Sequence, residues 1–186
     1  TALTATQVAG LAASQVAALT TGDFSAMLGT QVGALSTAAV AGLGTAQVAA
    51  FTSTQVQSLT AAQLRALSTD HIVALESTDL NALSPTQFGA FTTAQVAALS
   101  TVQLAAMSDT LLAAMGTAQL AAIAPAKLAA LGTAEFANFS ASQLGALTTA
   151  QVVAMETEDL ASLTATQVRG FSTGAHRHEG VGAEAA

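Results

Sequence analysis

Large apolar residues return at two fixed places in a period of eight along most of the chain. Counting from Leu3, twenty-one consecutive octapeptides follow one another without insertion or deletion and end at Gly170. Position one of the octad is always Leu, Met, Phe or Ile, and position six is always Val, Leu, Phe or Ile. Position eight is small, and position five is Gln in thirteen octads. A fixed short period of this kind predicts a repeat architecture.

One short helix per octad is the backbone that makes use of all these preferences. In a continuous α-helix the apolar stripe would rotate by about 80° per octad, and in a strand positions one and six would face opposite sides. With position two as the N-cap, its Ser or Thr and the Gln at position five form a capping box, while positions one and six form a hydrophobic staple. Pro85 and Pro125 both fall at position three, the first helical residue, where proline is favoured. The sequence therefore predicts an all-α solenoid of helices about six residues long.

The period also sets the expected domain organisation. We predict that residues 1–170 form the octapeptide-repeat solenoid, and that residues 171–186 form a partial repeat followed by a polar C-terminal cap or a flexible tail. Thr1 and Ala2 occupy positions seven and eight of a preceding octad, which indicates a segment of a longer array or a processed product. The period leaves open how many octads make one superhelical turn, with two or three as the values considered.

Composition limits the partners that such a chain would bind. The net charge is −7 with only four Lys and Arg residues, which argues against nucleic acid and against anionic membrane surfaces. Mean hydropathy is +0.55, but no uninterrupted apolar run approaches the roughly 20 residues of a membrane-spanning helix. Charged residues make up only 8% of the chain, so we expect an exterior rich in Ala, Thr, Ser and Gln that favours association. The absence of cysteine excludes a disulfide framework.

The densest polar group inside the repeats consists of Asp70, His71, Glu76 and Asp79. These residue types are suited to a metal site or to acid–base chemistry. In the predicted register, however, His71 and Asp79 lie at the third helical position and Glu76 at an N-cap, where a carboxylate interacts favourably with the helix dipole. We therefore interpret this group as structural.

Two further sets of candidate metal ligands are Glu156, Glu158 and Asp159 in the array, and His176, His178 and Glu179 in the tail. The first set repeats the theme of carboxylates at the start of a helix, which again favours a structural interpretation. The imidazoles of the second set would suit a transition metal, but two histidines supply too few ligands for a closed zinc site. We assign no metal and no cofactor to the chain.

Ser or Thr fills position three in twelve octads. In a solenoid these residues would form regular rows of hydroxyl groups, which could bind ice or a polysaccharide. The sequence contains no nucleophile–base pair, no glycine-rich phosphate loop and no Cys/His cluster. We therefore expect no enzymatic activity and assign no catalytic residue.

The octads at Leu147–Ala154 and Leu67–Ala74 resemble the LTTxQ[VI]xAL repeats of long, low-complexity bacterial proteins. The resemblance implies a bacterial protein with a structural role outside the cell or at its surface, and it brings no catalytic residues with it. Our leading hypothesis is a subunit or segment of a fibre, stalk or filament, whose copies associate end to end and laterally. The alternative is a binding module that uses its Ser/Thr rows to hold ice or a glycan.

The register can be tested with two neighbouring threonines. Thr148→Ala should lower the free energy of unfolding by about 0.5–2 kcal/mol, because it removes an N-cap hydroxyl. Thr149→Ala, one residue later, should be close to neutral, because that residue is only the first of the helix. Thermal melts followed by circular dichroism compare the two variants. A larger cost at Thr149 would mean that the register is shifted by one residue.

Overall fold

The computed structural model describes residues 3–171, which fold into short helices joined by tight turns. The chain divides into two compact units between Leu99 and Ser100. The helices of the first unit are α1 (Ala5–Ala9), α2 (Ala13–Ala17), α3 (Thr21–Ser25), α4 (Gly29–Gly33), α5 (Thr37–Ala41), α6 (Thr45–Ala49), α7 (Ser53–Gln57), α8 (Ala61–Ala66), α9 (Thr69–Ala74), α10 (Ser77–Asn81), α11 (Pro85–Gly89) and α12 (Thr93–Ala98). Those of the second unit are α13 (Thr101–Ala105), α14 (Asp109–Ala114), α15 (Thr117–Ala121), α16 (Pro125–Leu128), α17 (Thr133–Ala137), α18 (Ala141–Leu144), α19 (Thr149–Ala154) and α20 (Thr157–Ser162). A further helix begins at residue 165 and is described as far as 171.

The helix caps follow the predicted register. At α12 the Thr92 hydroxyl accepts a hydrogen bond from the Gln95 amide at 3.2 Å, and Gln95 Oε1 accepts one from the Thr92 amide at 2.8 Å. Pro85 and Pro125 are the first residues of α11 and α16. The twenty helices span four to six residues, so the prediction of one short helix per octad is confirmed. The N-caps Ala12, Leu28 and Gly44 make no side-chain capping bond, so the cap is not present at every helix.

The helices end without left-handed residues. No residue in the range 3–171 has a positive φ, glycines included. The corner is instead turned by an extended residue at position one, such as Leu67 with φ −64° and ψ 137°. The same apolar side chain therefore ends one helix and enters the core before the next N-cap.

Three octads make one coil of the solenoid. In the first unit α1 packs on α4, α2 on α5 and α3 on α6, and the same spacing recurs up to the contact between α9 and α12. In the second unit α16 packs on α19 and α17 on α20. A helix therefore stacks on the third helix after it, which answers the question that the period left open.

The core forms from position-six and position-one side chains, which meet between neighbouring octads, as Phe88 meets Phe91, and also between coils. Phe24 is the position-six residue of its octad, and Phe51 is the position-one residue of the fourth octad after it. Their rings meet edge to face with the centroids 5.1 Å apart. Phe51 follows Phe24 by 27 residues, and Leu35 follows Val8 by the same 27 residues. Leu35 is the first position-one residue to be buried, with 4% of its surface exposed, so each coil is covered by chain that follows it.

Close approach between coils explains the small residues at position eight. A Cβ atom built on Gly33 would lie 2.8 Å from the Ser58 carbonyl oxygen, and one built on Gly42 would lie 3.2 Å from the Ala13 Cβ. Ser58 and Gly42 are position-eight residues. Ser58 lies against α4 and Gly42 lies against α2, which are helices of the preceding coil. A large side chain at position eight would force the stacked helices apart.

Two glycines at position seven provide a matched test of this packing. Gly33→Ala should lower the free energy of unfolding by about 1–3 kcal/mol, because its methyl group meets the backbone at Ser58. Gly89→Ala should raise the free energy of unfolding by up to about 1 kcal/mol, because Gly89 also ends a helix but has nothing within 4 Å of its Cβ position. Denaturant titrations measure both values, and equal effects would contradict the proposed contact.

Candidate functional site

The glutamine at position five joins each coil to the one before it. In addition to its capping bond, Gln95 donates from Nε2 to the carbonyl oxygens of Leu64 at 2.8 Å and Leu67 at 2.7 Å. These acceptors lie 31 and 28 residues earlier in the chain, and Gln95 is only 2% exposed. The equivalent of its bond to Leu67 is made by Gln31, Gln47, Gln55, Gln63, Gln87, Gln143, Gln151 and Gln167. The primary amide thus satisfies polar groups of two coils at once.

The sequence predicts the capping bond of the position-five glutamine but not its hydrogen bond to the preceding coil. The capping box explained the acceptor Oε1 but assigned nothing to Nε2. A signal was present in the composition of position five, where Gln occurs thirteen times and Glu only at Glu135. Since Glu and Gln serve a capping box equally well, the preference for Gln indicates a requirement for a donor. That requirement is the hydrogen bond between coils.

His71 takes the place of a glutamine. Its Nδ1 accepts from the Ser68 amide at 3.2 Å, and its Nε2 lies 2.8 Å from the Leu43 carbonyl oxygen, to which it donates. This arrangement requires the tautomer with the proton on Nε2. Both ring nitrogens are engaged with the backbone, so neither remains for a metal ion or for proton transfer.

The acidic residues around His71 do not form a shared site. Asp79 is buried and accepts from the Ser53 hydroxyl of the preceding coil at 2.7 Å. Asp70 and Glu76 are exposed, and the Glu76 side chain makes no capping bond although it occupies the N-cap. His71, Glu76 and Asp79 therefore lie at the helix positions expected from the sequence, and the buried His71 and Asp79 make contacts between coils.

The remaining acidic candidates follow the same pattern. Asp159 is buried and accepts from the Glu156 amide at 3.3 Å, while Glu156 and Glu158 are exposed. Among residues 3–171 no group of three or more His, Cys, Asp or Glu side chains is arranged to hold a metal ion. His176, His178 and Glu179, the other proposed ligand set, lie outside the described residues.

In the first coil, position five carries a carboxylate at Asp23. The Thr20 hydroxyl, and after it the Thr20 backbone amide, hold the pKa of this carboxyl below its usual value by hydrogen bonding to the charged form. Because the pKa of Asp23 is lower in the folded state than in the unfolded state, these hydrogen bonds stabilise the fold at pH values above the unfolded-state pKa. This stabilisation is lost as the pH falls through the folded-state pKa. Asp23 is an acceptor only, so it caps its helix but cannot donate to another coil.

One row of hydroxyl groups is regular. The helices α3, α6, α9 and α12 stack on one another in the first unit, and each begins with an exposed threonine. These residues are Thr21, Thr45, Thr69 and Thr93. The other helices of this unit begin with a mixture of Ala, Gly, Ser, Thr and Pro. The predicted Ser/Thr rows are therefore reduced to one unbroken row in this unit.

The first coil exposes one half of the contact that interior coils bury. Leu3 is 45% exposed, and Leu11, Leu19 and Met27 are half-buried. Together with Val8, Asp23, Ala26 and Gln31, these side chains line an apolar cavity of about 280 Å³. In later coils the equivalent space is filled by position-six side chains of the coil before.

The last described coil exposes the other half. Val152 is half-buried, while Leu160 is 39% and Val168 49% exposed. These are position-six residues, and every earlier residue at that position from Val8 to Leu144 is completely buried.

Comparison with known proteins identifies the repeat but no homologue of known role. A family model described as the ALTTAQ repeat matches residues 28–61, 72–109 and 121–157, which together make up more than half of the chain. No curated protein and no solved structure matches the chain. Across residues 3–171, no helix has the length and apolar character needed to cross a bilayer.

Removing the donor of one glutamine tests the contact between coils. Gln95→Glu keeps the capping acceptor but removes the donor to the Leu67 carbonyl, and it leaves the Leu64 carbonyl with only the Leu67 amide. It should lower the free energy of unfolding by at least about 2 kcal/mol. Gln7→Glu is the control, because exposed Gln7 has the same capping box at Thr4 and no described coil before it. Urea titrations of both variants measure the difference, and a similar small cost at both sites would contradict the bridging role.

Proposed function

The chain belongs to the ALTTAQ repeat family, and from its contacts between coils we propose that it is a structural protein whose copies associate into an extracellular bacterial fibre, stalk or filament. The observation that carries the proposal is the constancy of these contacts within each unit. Position-six and position-one side chains pack together, as Phe24 does with Phe51 and Phe88 with Phe91. Position five bonds to the backbone of the coil before at one fixed spacing, as at Gln47, Gln95 and Gln151. Such a chain is built by adding equivalent layers.

The energetics of stacked repeats support a structural role. Helices of four to six residues are too short to be stable alone, so an isolated octad is unstable. Stability accumulates through contacts with neighbouring coils. This property suits a protein whose role is to extend and to bear load rather than to enclose a pocket.

The exterior favours lateral association of copies. Only 8% of the residues are charged, and several side chains that point outward are apolar. Val73, Val102 and Val153 are 52%, 72% and 79% exposed. Surfaces with few charges repel one another weakly and tend to associate. Lateral packing of this kind would thicken a filament.

A second candidate function rests on the row Thr21, Thr45, Thr69 and Thr93. A regular series of exposed hydroxyl groups, one per coil, is suited to a repetitive ligand such as ice or a polysaccharide. Replacing Thr45 and Thr69 by Lys should abolish thermal hysteresis or glycan-array binding if this function holds. The same change should leave the assembly of copies unaffected if the structural proposal holds.

Self-association of the purified 186-residue chain is the direct test of the structural proposal. We expect light scattering to rise with protein concentration and negative-stain electron microscopy to show elongated assemblies. Salt should change the assembly only weakly, because apolar contacts drive it and the net charge of −7 is small for the length of the chain. A monodisperse monomer at high concentration would rule the structural proposal out and favour the second candidate.

A further inference from the structure

One contact between coils of the first unit is made by a side chain of the type that titrates near neutral pH. This side chain is His71, which stands at position five of its octad and is only 5% exposed. Thirteen of the twenty-one octads have a glutamine there, whose amide group does not titrate. The remaining octads have an apolar residue, a lysine or a carboxylate, and the free forms of these side chains do not titrate near pH 6.5. Within the array, a pH change near neutrality therefore acts on position five at His71.

The two hydrogen bonds of the His71 ring require one protonation state. The Ser68 backbone amide can only donate, so the Nδ1 atom that lies 3.2 Å from its nitrogen must be without a proton. The Leu43 carbonyl oxygen can only accept, so the Nε2 atom 2.8 Å away must carry a proton. Neither backbone group can exchange its role. The folded octad therefore holds the neutral ring in a single tautomer.

A protonated ring does not fit this place. Its Nδ1–H group would point at the Ser68 amide, so that two donors would meet and the amide would lose its acceptor. The positive charge would also be held away from water, which is costly unless a partner of opposite charge is present. The ring has no such partner among residues 3–171, because its two described partners are backbone groups.

The elements packed against α9 supply no counter-charge either. α9 packs on α6 and on α12, and neither of these helices contains a charged residue. The charged residues of α9 and of the two adjoining octads are Arg65, Asp70, Glu76 and Asp79. Of these, Asp79 accepts from the Ser53 hydroxyl, and the other three are exposed. A charged ring at His71 is therefore not stabilised by its surroundings.

We propose that His71 is a pH-sensitive switch in the contact between α9 and the preceding coil. A proton taken from solvent onto Nδ1 removes the acceptor of the Ser68 amide. The ring then leaves its place, which also breaks the hydrogen bond from Nε2 to the Leu43 carbonyl. Of the bonds made by this residue at the start of α9, only the one from the His71 amide to the Ser68 hydroxyl remains. The switch goes beyond the proposed structural role, since it does not depend on the association of copies.

The direction of the pH effect follows from which state binds the proton. In the unfolded chain an imidazole takes up a proton below about pH 6.5, whereas the folded octad holds the neutral ring. The unfolded state therefore binds more protons as the pH falls, so the contact stabilises the fold above about pH 6.5 and loses this effect below it. A single group of this kind changes the equilibrium constant of unfolding by about ten-fold per pH unit at most.

Replacing the ring by the usual residue of position five tests the switch. His71→Gln removes the titrating group and keeps the contact, because Gln95 makes a bond of each kind at the equivalent place. Between about pH 7.5 and about pH 5, the equilibrium constant of unfolding should rise about ten-fold or more in the original chain relative to His71→Gln. Urea titrations across this range measure the ratio. The other titrating groups are the same in both chains, so their effects cancel, and parallel pH profiles would overturn the switch.

Hydrogen exchange shows where in the chain the change occurs. After correction for the pH dependence of chemical exchange, amides of residues 67–74 should lose protection at about pH 5 in the original chain but not in His71→Gln. Residues 147–154 are the matched control, because Gln151 makes the same capping bond and the same bond to the preceding coil. Equal loss of protection in both octads of the original chain would contradict a switch located at His71.

The nitrogen chemical shifts of the ring test its protonation state in the original chain. His71 should show the shifts of the neutral Nε2–H tautomer for as long as the amides of residues 67–74 remain protected. The spectrum of His71→Gln lacks this signal and thereby distinguishes it from the signals of His176 and His178. A ring that takes up a proton while those amides stay protected would overturn the switch.

Discussion

The amide group of the glutamine at position five is the interaction on which the rest of the structure depends. Its oxygen completes a capping box within one octad, and its nitrogen bonds to the backbone of the coil before, as at Gln95 and Gln151. Helices of four to six residues are too short to be stable alone, and each leaves several backbone groups unpaired at its ends. The glutamine side chain has both an acceptor and a donor. It therefore forms hydrogen bonds with the amide at the start of its own helix and with carbonyl groups at the end of a helix in the preceding coil.

Two of the exceptions at position five, His71 and Asp79, keep a hydrogen bond to the preceding coil, whereas Ala39 and Leu111 fill the same place as buried apolar side chains. At His71 the imidazole supplies an acceptor and a donor in the same geometry as an amide. At Asp79 the carboxylate cannot donate, and it instead accepts a hydrogen bond from the Ser53 hydroxyl of the preceding coil. All buried side-chain nitrogen and oxygen atoms of residues 3–171 have a partner. His71 and Asp79, which look in the sequence like the start of a catalytic or metal site, are therefore explained by the stacking of coils.

The features that could be predicted from the sequence are those decided within one octad. The N-cap at Thr92, its partner Gln95 and the proline at the start of α11 lie within a few residues of one another, so the pattern alone places them. The number of octads per coil depends on contacts between octads of different coils and on the extended backbone at residues such as Leu67. No local preference encodes these quantities. For the same reason the sequence located the acidic residues on their helices but not the hydroxyl partner of Asp79.

The contact between stacked coils is made of backbone carbonyls and apolar side chains. Octads of different sequence can therefore make nearly the same contact. Val, Leu, Ile and Phe all occupy position six, and all from Val8 to Leu144 are completely buried, so the layer tolerates a change of size. What it does not tolerate is a change of phase, because a shift of one residue would move position five away from the carbonyls at Leu64 and Leu67. Substitutions can therefore accumulate along such a chain, while insertions and deletions that are not whole octads cannot. This constraint accounts for twenty-one octads of varied sequence and constant length, and it leaves the charge and hydroxyl content of the outer surface free to be set by whatever the surface contacts.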